Sequence, residues 1–367
     1  MNCPVCQSNQ TTLFIQRESV PVHQNVVIRS LQEARNAPVG TLELVVCERC
    51  GFIFNRAFDP AAMNYEEHYD NNQNYSCVFQ EHVADRARYL NENIKNSVII
   101  EIGCGNGEFL RQLVSDSNIG YGIDPAYTGL MSEKRATFKR SYFSPDVVDV
   151  LADVVICRHV IEHIQDPLRL LNDIKQVAKD SARIFIETPN ASWILRNQAS
   201  WDFFYEHCSY FSAESLTCAL NSAGIKADRL HNVFDGQYLW LEASLPGDSK
   251  QGIPETAIPV LAHEYVSNKD RLIDNHTAIW GAGAKGVTFA NLIDPEMKRI
   301  SCVVDINPNK QGCFIPCSGH PIISYAELGD YHVETIINMN PNYFDENEAI
   351  LHDMKFDIDL IGVEELL

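Results

Sequence analysis

Basic residues are in short supply: 29 Lys and Arg stand against 49 Asp and Glu, a formal charge of −20, and the bases form no run. An acidic surface repels polyanions, so nucleic acid and anionic membrane are disfavoured as partners. Long apolar stretches are missing too. No uninterrupted apolar segment reaches bilayer length, and Met1-Asn2-Cys3-Pro4 carries neither the basic nor the apolar part of an export signal. The expectation is a cytoplasmic protein, a monomer or weak homodimer, with no membrane and no nucleic acid as partner. Cysteine is not scarce at 12, but the residues are spread through 367 positions rather than packed into a small secreted frame. That argues against a disulfide scaffold and for mostly reduced thiols. At 45% hydrophobic and 21% charged the composition is ordinary for a soluble enzyme, and the length suits about two domains plus an appendage.

What the chain does have is an apolar strand, Val98-Ile99-Ile100-Glu101-Ile102, running into Gly103-Cys104-Gly105-Asn106-Gly107. An amphipathic helix over residues 108–114 and a second strand ending at Asp124 follow. Glycines let backbone approach a ligand closely and adopt turn angles that a β-carbon opposes. Asp124, at the tip of the second strand, is placed to accept hydrogen bonds from two ribose hydroxyls. The spacing is not that of a dinucleotide turn, and the acid behind it, Glu101, would repel a diphosphate while suiting ammonium and sulfonium charge. A tight turn with no ligand is the plainer alternative. The segment resembles motif I of the Rossmann-like methyltransferases. That resemblance implies S-adenosylmethionine, with Glu101, Gly103, Gly105, Gly107, Asp124, Phe143 and His159 as the cofactor set.

Two C-x-x-C knuckles, Cys3 with Cys6 and Cys47 with Cys50, can turn four thiolates toward one ion. Such a tetrahedral zinc site has no open position for chemistry, so the zinc would be structural; a redox C-x-x-C is the alternative. Between the knuckles, β-branched residues over 26–46 suit hairpin strands, with Pro38-Val39-Gly40 turning the chain. A polar linker over 64–76 carries Tyr65, Tyr69 and Tyr75, and reads equally as a surface loop or as a lid. A helical pattern over 78–90 leads into the first strand.

Strands at 153–157 and 183–187 flank a helix opened by Asp166-Pro167, the alternation of a doubly wound α/β sheet. His159 follows the first of them at its carboxyl end, where ligands bind; His163 suits local packing or capping. Composition breaks at 246–259, and a helix over 262–272 precedes a second glycine turn, Gly281-Ala282-Gly283-Ala284-Lys285-Gly286. This turn carries a cation instead of an acid, so a helix start plus Lys285 suits phosphate. The strand 300–304 ends in Asp305, with Lys310-Gln311-Gly312 beyond it. The expected organisation is a zinc module (1–62), a cofactor-binding class I methyltransferase domain (63–246) and a C-terminal Rossmann-like domain (247–367).

Between the two glycine turns, Glu206 and His207 sit among Trp201, Phe203, Phe204, Tyr205, Tyr210 and Phe211, and Ser212 opens a helix to about Ser222. Charged groups among aromatics are costly unless paired or used, and a histidine can accept a proton near neutral pH. The whole order resembles the sugar C-methyltransferases of deoxysugar biosynthesis. The resemblance rests on the four cysteines, Glu101 to Gly107, Tyr205 to Phe211, Gly236-Gln237-Tyr238, the 281–286 turn, and Val304-Asp305 with Lys310-Gln311-Gly312.

It implies methyl transfer to a ring carbon, C3, of a nucleotide-linked 4-keto-6-deoxy sugar. His207 would be the base, with Glu206 beside it and Tyr75 or Tyr69 as the N-terminal tyrosine. Tyr205, Gln237, Tyr238, Gly283, Lys285 and Lys310 would hold the substrate. Phe204 stands where some members have tyrosine, so no phenol is carried over there. Other readings are a small-molecule O- or N-methyltransferase, a zinc-ribbon RNA or protein methyltransferase, and a non-catalytic scaffold.

Overall fold

The computed structural model describes residues 2–63, 69–115, 117–245 and 273–366. The 246–259 boundary, the helix expected over 262–272 and Tyr65 lie outside the described residues.

Near the N-terminus, β1 (Thr11–Pro21) pairs antiparallel with β2 (Val39–Cys47), and β2 with β3 (Ile53–Asn55). The hairpin expected over 26–46 is therefore displaced. Val39 and Gly40 do not turn the chain; they pair with Pro21 and Val20 as the first residues of β2. The reasons are local. Ser30 caps a short helix, Leu31–Arg35, by accepting from Glu33 N. The bare Gly40 makes room for the Tyr205 ring, whose Cε2 would lie 2.3 Å from a β-carbon there. The sheet is closed by a strand from far along the chain, Ser209–Tyr210, which pairs antiparallel with β3.

The central sheet has eight strands. From the C-terminal edge they run Lys226–Val233, Tyr238–Ser244, Ala178–Pro189, Ala152–Arg158, Val98–Ile102, Ile119–Ile123, Ala136–Lys139 and Ser132–Glu133. The five strands from Ala178–Pro189 to Ala136–Lys139 are parallel, and Lys226–Val233 and Tyr238–Ser244 add an antiparallel edge. Val98–Ile102 lies between a strand that follows it directly and one reached by crossing back, so the order reverses there and opens a ligand crevice at the carboxyl ends. Helices Glu108–Leu113, Pro167–Val177 and Ala213–Ala223 match the expected positions to within a residue, Cys77–Asn93 runs three residues beyond the expected end at 90, and Asp166 caps Pro167–Val177 by accepting from Arg169 N. Ala178–Pro189 begins as soon as Pro167–Val177 ends, earlier than the expected Arg183.

The C-terminal unit is a second open sheet of five parallel strands, in the order Ile322–Ile323, Ile300–Val304, Thr277–Trp280, Thr335–Asn338 and Asp359–Gly362. The helix Ala284–Ile293 follows its glycine turn. A β-carbon at Gly286 would sit 1.9 Å from the Gly281 carbonyl oxygen, so only glycine lets this helix start so close to the strand.

One apolar cluster crosses all three units, from Leu42 and Leu44 through Trp201 and Phe203 to Val287 and Phe289. The Trp201 and Phe289 rings meet edge to face, 5.9 Å between centroids. Truncating the fully buried Phe289 to alanine would cost about 3–5 kcal/mol and would loosen the join between units. Among the described residues no helix is long and apolar enough to cross a membrane.

Candidate active site

The first glycine turn is set by backbone bonds to the neighbouring strand: Gly103 N and Cys104 N both donate to Ile123 O. Gly103 has φ +69°, and a β-carbon there would lie 2.1 Å from Val160 Cγ2. Gly107 is the left-handed residue from which helix Glu108–Leu113 starts. In front of Gly105 there is open space within 4 Å, the side a ligand would occupy. Asp124 accepts from Gly105 N through Oδ2 (2.9 Å) and from Ala126 N through Oδ1 (2.7 Å), which fixes the carboxylate at the crevice mouth. Phe143 sits in a loop tied to Asp124 by Ser141 N.

Glu101 is buried, and its Oε2 has no hydrogen-bond partner. Burial, opposed by the Arg158 guanidinium, pushes its carboxyl up to about 8. A buried acid with one unpartnered oxygen beside a turn open at Gly105 suits a cationic ligand, and the residues present fit S-adenosylmethionine.

At the ends of the same strands a cavity of about 240 Å³ opens between the three units. It is bounded by His159, Glu206 and His207 on the methyltransferase side, by Tyr69 and Tyr75 from the former linker, and by the second glycine turn. His207 packs against Phe204 (4.2 Å between centroids) and against the His163 ring (4.7 Å). Burial first, then His163 and His159, holds its imidazole well below the ordinary 6.5, so it is neutral at pH 7. His163 Nδ1 donates to the Glu206 carbonyl, 3.0 Å away. Glu206 is itself buried: Oε1 accepts from Gln24 N (2.6 Å) and Oε2 from the Tyr69 hydroxyl (2.9 Å). Glu206 therefore orients the loops around the imidazole.

Of the two candidate tyrosines, Tyr69 is bonded to Glu206; Tyr75 lines the cavity and is 41% exposed. Tyr238 lines the cavity edge-on to His159, at 4.6 Å. Gln237 donates to Asn340 Oδ1 and accepts from Lys285. Gly283, Lys285 and Lys310 also border the cavity. Tyr205 does not reach it. Its ring packs on Phe58 and its hydroxyl accepts from Asp59 N, so this side chain belongs to the contact with the N-terminal sheet.

Sequence reasoning missed several participants. His23 Nδ1 lies 3.6 Å from Glu206 Oε1, and Asn25 reaches the cavity from the same loop. A polar His-Gln-Asn triplet between Val22 and Val26 was the available signal. Asp202, 3.0 Å from Lys285 Nζ, and Glu187 were missed as well. Glu187 is fully buried and ties His82 to Arg158 through 2.6 Å contacts, locking helix Cys77–Asn93 to the strand ends.

The four N-terminal cysteines converge, with all sulfurs within 4.8 Å of one another and Cys3–Cys50 and Cys6–Cys47 at 3.7 and 3.5 Å. Zinc–sulfur bonds of about 2.3 Å in a tetrahedron require sulfur edges of about 3.8 Å. The donor set fits.

The family described as methyltransferase domain matches residues 47–230, half of the chain, and the chain belongs to that family. The C-methyltransferase C-terminal domain matches residues 269–355. The protein is an S-adenosylmethionine-dependent C-methyltransferase. It is similar to the C-methyltransferase NovU of Streptomyces niveus, 23% identical over 96% of this chain and 93% of that protein. A ubiquinone biosynthesis O-methyltransferase of Vibrio campbellii (strain ATCC BAA-1116) is 26% identical but covers 29% of this chain and 47% of its own. Among solved structures, the dimethyltransferase RosA of Streptomyces davawensis aligns with 45% of this chain and 54% of its own, at 20% identity and a TM-score of 0.39.

Proposed function

We propose that the acceptor is a ring carbon beside a ketone, C3 of a nucleotide-linked 4-keto-6-deoxy sugar, and that His207 is the base. The observation that carries this reading is a neutral imidazole bordering a cavity that is lined both by His159, at the carboxyl end of a central-sheet strand, and by the second glycine turn. Bound S-adenosylmethionine supplies an electrophilic methyl group on sulfur. His207 takes the proton from the carbon next to the ketone, leaving an enolate. The enolate carbon would take the methyl group, the sulfur–methyl bond breaking as the carbon–carbon bond forms, and the imidazole of His207 would keep the proton until solvent removes it. Neutrality matters because an imidazolium cannot accept a proton. Glu206 and Tyr69 hold the loops that aim His207, and holding cofactor and carbon in line supplies much of the rate.

NovU, the relative matched along nearly its whole length, is named a C-methyltransferase, which supports carbon over heteroatom chemistry. Cys3, Cys6, Cys47 and Cys50 would hold a structural zinc with no part in the reaction. The test is exchange of deuterium from solvent into the carbon beside the ketone. The chain should catalyse it and His207→Ala should not; exchange by the variant at the unaltered rate would refute the assignment.

A further inference from the structure

We propose that Lys310 and Asn307, at the start of helix Ala284–Ile293, form the receptor for the substrate's phosphate groups. Lys285, the cation inside the glycine turn, acts instead as a clasp between units. This deepens the reading above and rests on the substrate carrying phosphate.

Lys310 is 6% exposed, and its Nζ donates to two neutral oxygens, Asn25 Oδ1 at 3.1 Å and Ala282 O at 2.9 Å. Among the described residues no carboxylate lies within ion-pair distance of it. A buried ammonium without a counter-charge is strongly unfavourable, and an anionic ligand supplies what is missing. Asn307 lines the same cavity and is 2% exposed. Its Oδ1 accepts from Asn309 N, while its Nδ2 has no partner. Helix Ala284–Ile293 starts at Gly283 with no side chain capping it, so its free backbone donors and positive end face the cavity. An ammonium with no counter-charge, an amide N–H with no acceptor and an uncapped helix start thus meet in one place.

Lys285 is in the opposite situation. Its Nζ lies 3.0 Å from Asp202 Oδ2 and 2.9 Å from Gln237 Oε1, and it covers the Trp193 ring. Its charge is already matched by a carboxylate of the methyltransferase unit. Asp305 borders the cavity as well, but its two oxygens accept from Ala282 N and Asn307 N, which draws its charge onto the backbone.

The test is calorimetry on the full chain with inorganic diphosphate and with a nucleoside diphosphate, using S-adenosylmethionine affinity to verify folding. Lys310→Met and Asn307→Asp should each weaken both anions by at least about tenfold, and Lys285→Met by much less. The inference is overturned if both variants, with cofactor affinity intact, bind diphosphate as tightly as the parent chain, or if the parent binds neither anion. It is also overturned if Lys285→Met carries the largest loss. Should Lys310→Met misfold, the Asn307→Asp result decides. If diphosphate binds and is lost as stated but no nucleotide-linked keto sugar is methylated, the anion receptor stands and the substrate reading falls. Deuterium exchange with diphosphate binding unaltered in both variants would do the reverse.

Discussion

Asp124 and Asp305 hold equivalent places on two separate sheets. Each ends the strand next to a glycine turn, and each grips that turn by accepting one backbone amide on Oδ2, from Gly105 at 2.9 Å and from Ala282 at 2.7 Å. Each also accepts the amide two residues on through Oδ1, from Ala126 at 2.7 Å and from Asn307 at 2.8 Å. The turns around them differ in charge: Glu101 lies behind the first, and Lys310 beside the second. The same backbone device thus presents one site suited to a cation and one suited to an anion.

The two acids should therefore separate in function. Asp124→Ala is expected to weaken S-adenosylmethionine by about ten- to a hundredfold, the loss of hydrogen bonds to a charged group. Asp305→Ala should leave that affinity unchanged while lowering stability by about 1–3 kcal/mol, because two amides lose their acceptor. Calorimetry and thermal melts on both variants check this; a cofactor effect from Asp305→Ala would mean the two crevices are not independent.

Cofactor affinity should rise with pH. Burial, with Arg158 opposing, pushes the Glu101 carboxyl from 4.5 up to about 8, so the ligand-free fold holds its proton at neutral pH. A cation binds the ionised form, and binding releases the proton; affinity then climbs until pH passes about 8. The sign for stability is the reverse. A carboxyl raised by folding contributes fully below 4.5, and its contribution is lost as pH rises through about 8, so the ligand-free chain should melt lower at pH 8 than at pH 5. Glu101→Gln should flatten both trends. Titration in two buffers of different ionisation heat measures the released proton, and an affinity flat between pH 6 and 8 would remove Glu101 from the cation's surroundings.

His207→Ala should lower turnover by about a hundred- to ten-thousandfold with little change in cofactor affinity, since the imidazole borders the cavity and not the first glycine turn. In the parent chain burial, followed by His163 and His159, lowers this histidine well below 6.5. The acid limb of kcat/KM should therefore fall well under the usual histidine range. A limb centred at 6.5 or above would point to another base.

The parts of this site legible in the sequence are those where a local rule leaves one solution. Gly103 at positive φ against Val160 admits no side chain, and Asp166 followed by Pro167 and an apolar helical repeat suits a capped helix start. The cysteine knuckles carry their own spacing. Illegible were the pairings made by packing. Glu206 meets Tyr69 and Gln24 across more than a hundred residues, and Lys285 finds Asp202 across a join between two sheets. No periodicity records such contacts, so Lys285 read as an open cation. Tyr205 misled for a related reason: its place beside Glu206 suggests the site, but successive side chains diverge, and its ring fills the space over Gly40.

Metal removal should disturb catalysis as well as the N-terminal sheet. Cys47 ends β2, and Cys50 lies in the connection to β3. β3 pairs through Phe54 and Ile53 with Ser209 and Tyr210, and Asn55 N donates to Cys208 O at 2.9 Å, one residue from His207. The cysteine cluster thus anchors the strand that follows the base by two residues, whereas Glu101 lies in the central sheet and Asp124 directly after one of its strands. A strong chelator should release zinc, detected with a chromogenic indicator, and should strip hydrogen-exchange protection from β1 to β3. Turnover should fall in step while S-adenosylmethionine still binds. Cys6→Ser, at the more exposed of the four positions, should give the same split. Full turnover after complete zinc release would mean that the segment 203–211 is held by its aromatic packing alone.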